Sequence, residues 1–152
     1  MTVAYVGLGA NLGDRERTLR IAVERLGDDP EIDVLAVSRF RETAPVGFED
    51  QPPFINAAAQ LRTTLSARGL LDRLLAVERG LGRTRDGPRF GPRTVDVDLL
   101  VFGDAIVDEP GLTVPHPRLT ERRFALEPLA ELDPELVIPG RGSVVNLLAA
   151  LQ

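Results

Sequence analysis

The 152-residue sequence has no cysteine, no lysine and no tryptophan, and a single histidine, tyrosine and methionine. Without cysteine it has no disulfide, no thiolate nucleophile and no sulfur-rich zinc site, and a reducing compartment is allowed. Without lysine it has no Schiff-base chemistry and no P-loop lysine. All 18 basic residues are arginine, so any phosphate must be held by arginine, backbone or a metal. No apolar run is long enough to cross a bilayer, and no basic leader precedes the short apolar start broken by Gly7, Gly9 and Asn11. The expectation is a soluble, cytoplasmic protein with no membrane partner. A net charge of −5 argues against general nucleic-acid binding and leaves room only for a local basic patch.

With 43% hydrophobic residues, the chain can bury one core, and a single domain over 1–152 is expected. Val3–Leu8 reads as an apolar strand. Asp14 can cap a helix in which Leu19, Ala22, Val23 and Leu26 share a face. Ile32–Arg41 reads as a second strand, and Thr43–Pro53 as an exposed loop. Phe54–Thr63 alternates in the manner of a strand with one buried face, which turns Asn56 away from Ile55. Ser66 can cap a second helix with a stripe of Leu70, Leu71, Leu74, Leu75 and Val77, ended by Gly80 and Gly82. Further strands are expected at Thr94–Phe102, Ala105–Val107 and Leu112–Val114, with a turn at Gly103-Asp104, and helices at Leu119–Leu132 and Val144–Leu151. The order strand, helix, strand, strand, helix, strand predicts an α+β, ferredoxin-like antiparallel sheet with helices packed on it and additional C-terminal elements.

Asp96 and Asp98 stand two apart, so on a strand both carboxylates emerge on one face, with Cβ atoms about 7 Å apart. Such a pair suits a divalent metal, and all-oxygen ligands favour magnesium. An isolated D-x-D is ordinarily a pair of surface aspartates. Here Arg83, Arg85, Arg89 and Arg93 lie just upstream in a Gly- and Pro-containing stretch, and arginine's planar fork grips phosphate oxygens in bidentate fashion. Surface ion pairs in a solvated loop are the plainer alternative. His116 sits in the stiff Val114-Pro115-His116-Pro117 segment, where a structural hydrogen-bonding role is equally open. Arg122 and Phe124 could meet a phosphate and a planar ring, or could be a surface arginine beside a core phenylalanine. Gly7-Leu8-Gly9-Ala10-Asn11-Leu12-Gly13 misses the G-x-G-x-x-G spacing by one residue and reads as a structural strand-to-helix turn.

Gly91-Pro92-Arg93-Thr94-Val95-Asp96-Val97-Asp98, with Val114-Pro115-His116-Pro117-Arg118 downstream, resembles the signature of the 6-hydroxymethyl-7,8-dihydropterin pyrophosphokinase family. Tyr5–Gly13, Thr43–Gly47 and Gln51–Ala58 extend the resemblance over nearly the whole chain. It implies transfer of pyrophosphate from ATP to the pterin hydroxymethyl oxygen, releasing AMP, in folate biosynthesis; a monomer with small-molecule substrates is a separate expectation, and no motif of the sequence sets the oligomeric state. By the same resemblance Asp96 and Asp98 hold two magnesium ions, and Arg83 and Arg93 stabilise the transferring group. Glu78, Arg85, Arg93, His116 and Arg122 contact ATP, and Thr43, Pro45, Val46, Phe54, Asn56 and Phe124 form the pterin pocket. An amide at Asn56 suits a pterin edge because it both donates and accepts. Phe90 and Pro117 depart from residues common in the family. Two other classes give similar elements: a ferredoxin-like sensing domain, which needs no acidic metal ligands, and a nucleotidyltransferase, which would release pyrophosphate.

Overall fold

The computed structural model describes residues 1–11, 14–43, 54–81 and 95–151. β1 (Thr2–Ala10) is followed by α1 (Arg15–Asp28), whose start is fixed by the Asp14 carboxylate accepting the Arg17 N–H at 3.2 Å. Leu19, Ala22 and Leu26 bury the expected face of this helix.

The expected strand Ile32–Arg41 is instead two, β2 (Ile32–Val37) and β3 (Arg41–Thr43), laid end to end along β4 (Phe54–Thr63). Ser38 bridges the break. Its N–H donates to Ala58 O at 2.9 Å, and its hydroxyl accepts the Ala58 N–H at 2.9 Å, so a side chain replaces one rung of the ladder. The break is clasped from the second layer by Glu131. Its carboxylate accepts the Arg39 N–H at 2.9 Å and pairs with the Arg41 guanidinium at 2.8 Å. Burial alone would raise the Glu131 pKa, but these partners outweigh it and hold the carboxyl below its usual range.

α2 (Ala67–Leu81) begins where the Ser66 hydroxyl accepts the Gly69 N–H at 3.0 Å. Its buried stripe is Leu70, Leu74 and Val77, narrower than expected, because Leu75 turns toward solvent. Gly80 lies inside the helix rather than ending it. A Cβ there would lie 2.6 Å from a guanidinium nitrogen of Arg25 in α1, the far end of a flexible side chain that would have to shift. Gly82 and residues 44–53 of the expected loop lie outside the described residues.

β5 (Asp96–Phe102) is followed by the hairpin of β6 (Val107–Glu109) and β7 (Leu112–Val114). The helix expected at Leu119–Leu132 is divided into a 3-10 turn at Leu119–Glu121 and α3 (Arg123–Leu132), because Arg122 between them is extended. β8 (Val137–Ile138), β9 (Gly142–Ser143) and α4 (Val144–Ala150) complete the described chain. No described helix is long and apolar enough to cross a membrane.

The strand order is β2-β4-β1-β5, every neighbouring pair is antiparallel, and β3 extends the β2 edge. This is the ferredoxin-like arrangement, with α1 and α2 as the crossovers. Those helices bury one face of the sheet against Ala4, Val6, Leu8, Ile55, Leu61 and Val97. The opposite face is also covered, by α3 and α4 over Tyr5, Ala58, Leu100 and Val101. The alternation of β4 therefore separates two cores rather than core from solvent, since Asn56 and Ala58 are buried too.

Replacing Ser38 by Ala leaves the buried Ala58 N–H without its acceptor, and the expected loss of stability is about 1–3 kcal/mol, read as a lower urea midpoint at unchanged slope.

Candidate active site

Pairing in register sets two rows of residues across the middle of the sheet. Asn56 of β4, Gly9 of β1 and Asp96 of β5 form one, and Ala58, Gly7 and Asp98 form the next. Alternation directs both rows to the face opposite α1 and α2. There Asn56, Gly9, Asp96, Gly7 and Asp98 floor a cavity of about 500 Å³, walled by the 3-10 turn and the first turn of α3 through Leu119, Arg122, Phe124 and Ala125, while Ala58 is covered by the second core. Thr43 and Phe54 line it from the β3/β4 side, and His116 from the β5 side, where the His116 N–H donates to Leu100 O at 2.9 Å.

β5 carries a bulge at this point. Tyr5 pairs with Val101 and Val6 with Leu99, so Leu100 is left unmatched, and both Leu100 and Val101 enter the second core. Upstream of the bulge the strand is regular, and Asp96 and Asp98 share the cavity face while Val97 is buried in the first core. The backbone between the aspartates is fixed from α2: the buried Glu78 carboxylate accepts the Val97 N–H at 2.7 Å.

Two side chains have their polar atoms oriented by neighbours. Asn56 donates from Nδ2 to the Thr43 hydroxyl at 2.6 Å, leaving its carbonyl and a second N–H for other partners. His116 accepts the Arg118 N–H at Nδ1, at 3.2 Å, so the neutral ring carries its proton on Nε2. Burial lowers the His116 pKa, and the guanidiniums of Arg122 and Arg118 lower it further. The ring at neutral pH is therefore an uncharged N–H donor among cations. Arg122 also lies over the Phe124 ring, 5.5 Å from its centroid.

A family model for 7,8-dihydro-6-hydroxymethylpterin-pyrophosphokinase (HPPK) matches residues 5–134. The chain belongs to the HPPK family. Among its relatives, the 2-amino-4-hydroxy-6-hydroxymethyldihydropteridine pyrophosphokinase of Bacillus subtilis (strain 168) is 47% identical over 130 residues, 86% of this chain and 77% of that one. The protein of the same name from Methylorubrum extorquens is 46% identical over 151 residues, 99% of this chain and 94% of that one. The crystal structure of Plasmodium falciparum HPPK-DHPS with SDX-DHP superposes with a TM-score of 0.73 at 13% identity. It is matched over 99% of this chain but only 43% of that one, a likeness of fold.

Of the residues expected to serve an HPPK site, the cavity brings together Thr43, Phe54, Asn56, Asp96, Asp98, His116, Arg122 and Phe124. Glu78 does not line the cavity; it is buried beneath it and accepts the N–H of Val97, between the two aspartates. Pro45, Val46, Arg83, Arg85, Phe90 and Arg93 lie outside the described residues. Gly7 and Gly9 do not form a strand-to-helix turn. They lie within β1 and line the cavity, because the strand runs on to Ala10 between two partners. Arg118 and Glu121 line the cavity without having been singled out. Arg118 closes the Val114–Arg118 motif and could have been found there, whereas Glu121 carried no signal. Asn11 was likewise passed over. It is buried at the end of β1, and neither of its amide atoms has a hydrogen-bond partner among the described residues.

As the sole histidine, His116 gives ring proton resonances that need no assignment by mutagenesis. Their NMR titration midpoint is expected below the ordinary imidazole value of about 6.5. Because the folded-state pKa is depressed, the stability contributed by the neutral ring is present above about pH 6.5 and lost as pH falls through the folded-state value. A midpoint at or above 6.5 would show that burial and the two arginines do not govern this site.

Proposed function

We propose that the chain transfers a pyrophosphoryl group from ATP to the hydroxymethyl oxygen of 6-hydroxymethyl-7,8-dihydropterin, with magnesium, as a step of folate biosynthesis. The observation that carries this reading is the meeting of the Asp96/Asp98 pair with Asn56, Phe54 and Phe124 on one cavity. The alcohol oxygen bonds to the β-phosphorus, the bond from that phosphorus to the α–β bridging oxygen breaks, and AMP departs with that oxygen as the alcohol releases its proton. The protein acts as one domain over 1–152, a cytoplasmic monomer with small-molecule substrates and no nucleic-acid or membrane partner.

Asp96 and Asp98 offer carboxylate oxygens alone, and among the described residues no group of three or more His, Cys, Asp or Glu could hold a metal. That sparse oxygen set fits magnesium, which retains waters and takes further ligands from substrate phosphates. Two magnesium ions, when bound, neutralise phosphate charge and draw the phosphates and the alcohol together. Asp96 and Asp98 hold them, and Glu78 fixes the backbone between the two. His116 donates from Nε2 to a phosphate oxygen without adding charge, and Arg122 supplies charge beside it. On sequence grounds Arg83, Arg85 and Arg93 complete the cationic side, with Arg83 and Arg93 on the transferring group.

On the other side of the floor, Asn56 reads the pterin edge with its remaining amide groups, and Phe54 and Phe124 offer ring faces to a flat heterocycle. Thr43 fixes which way the Asn56 amide points. Pro45 and Val46 belong to the same pocket by resemblance.

Incubation with ATP, magnesium and 6-hydroxymethyl-7,8-dihydropterin is expected to yield AMP and the pterin diphosphate, identified by chromatography. ADP, pyrophosphate or no turnover by folded protein would each contradict the proposal. Asp96→Asn and Asp98→Asn should each lower kcat by about 100-fold or more, with thermal midpoints near that of the parent, because charge at the phosphates is lost while shape is kept.

A further inference from the structure

Gly9 occupies the interior of β1, where glycine weakens a strand and brings no packing. Its φ is not among the positive values of the described residues, which belong to Gly103, Gly111, Gly140 and Gly142, so the backbone does not require glycine here. Space does. A Cβ at position 9 would lie 2.9 Å from Asn56 Oδ1, closer than such atoms approach. Gly7, the other bare position of the floor, is less constrained: its Cβ would meet the end of the Leu100 side chain at 3.2 Å, a group that can turn aside. The Asn56 amide cannot turn aside without loss, because Nδ2 is held by the Thr43 hydroxyl at 2.6 Å and the side chain is buried.

We infer that Gly9 is a positioning residue: its missing side chain is the slot in which the Asn56 carbonyl rests, so that the amide stays aimed at the amide-like edge of the acceptor. The inference rests on the functional reading above for the identity of that acceptor. The cross-strand row gives it a second consequence. Gly9 stands directly between Asn56 and Asp96, so the strip joining ring-reading amide to metal-holding carboxylate crosses one bare residue, spanning two strand spacings or about 10 Å. Any side chain at position 9 both tilts the amide and stands in that strip.

The test is a double-mutant cycle of Gly9→Ala and Asn56→Ala, read in thermal midpoint and in kcat/KM for the dihydropterin, with Mg·ATP affinity measured by calorimetry. Gly9→Ala alone should lower the midpoint and reduce kcat/KM for the dihydropterin by about 10- to 100-fold, leaving Mg·ATP affinity unchanged. In the Asn56→Ala background the same substitution should raise the midpoint, by about 1–3 °C, since alanine replaces a strand glycine with the obstacle gone. An equal fall in midpoint in both backgrounds, or kcat/KM within twofold of the parent for Gly9→Ala, would overturn the inference. Absence of turnover by the parent protein would instead sink the functional reading, and the midpoint cycle would still decide whether position 9 accommodates the Asn56 amide.

Discussion

The site depends on β1 being hydrogen-bonded on both edges, to β4 along its whole length and to β5 over most of it. Because side chains alternate with a period of two, this pairing decides at once which residues meet the helices α1 and α2 and which meet the cavity. A slip of one residue in either ladder would send a carboxylate of the Asp96/Asp98 pair, or the Asn56 amide, into a hydrocarbon core. Burying those groups unpaired is costly, so the same apolar side chains that build the first core also enforce the chemistry on the far face.

Around that frame, polar side chains do the local fixing. Glu78 meets the amide between the aspartates, Ser38 stands in for a missing rung beside Ala58, and Glu131 ties the interrupted edge strand to α3. Each lies outside the cavity. Each also holds a strand that carries a cavity residue, which gives the binding surface its rigidity without occupying it.

Much of this could be read in the sequence, for identifiable reasons. Strands and helices with strong periodicity, such as Phe54–Thr63 and the Leu19–Leu26 face, emerged with sound boundaries because pattern and propensity agree there. The D-x-D pair was legible as one strand face because spacing places both carboxylates there, but it and His116 stood out as site residues only beside the arginine-rich stretch and through the family resemblance. Features set by tertiary contact were not. The break at Ser38 depends on a hydroxyl reaching another strand, and the second buried face of β4 depends on α3, far along the chain. The division of the helix near Arg122 depends on a backbone conformation that no residue type there demands. Gly9 was legible as a glycine but not as part of a site, since its meaning lies in an atom of Asn56 that sequence distance conceals.

Two hydrophobic cores share one sheet, and the cavity opens where the C-terminal layer of α3 overlies it. A ligand seated there touches the sheet and that layer together, so its affinity and the docking of the layer are thermodynamically linked. Whatever free energy the docked layer lends to binding, bound ligand returns to the layer as protection against local opening. Substrate then acts as a fastener for the part of the protein that completes its own site.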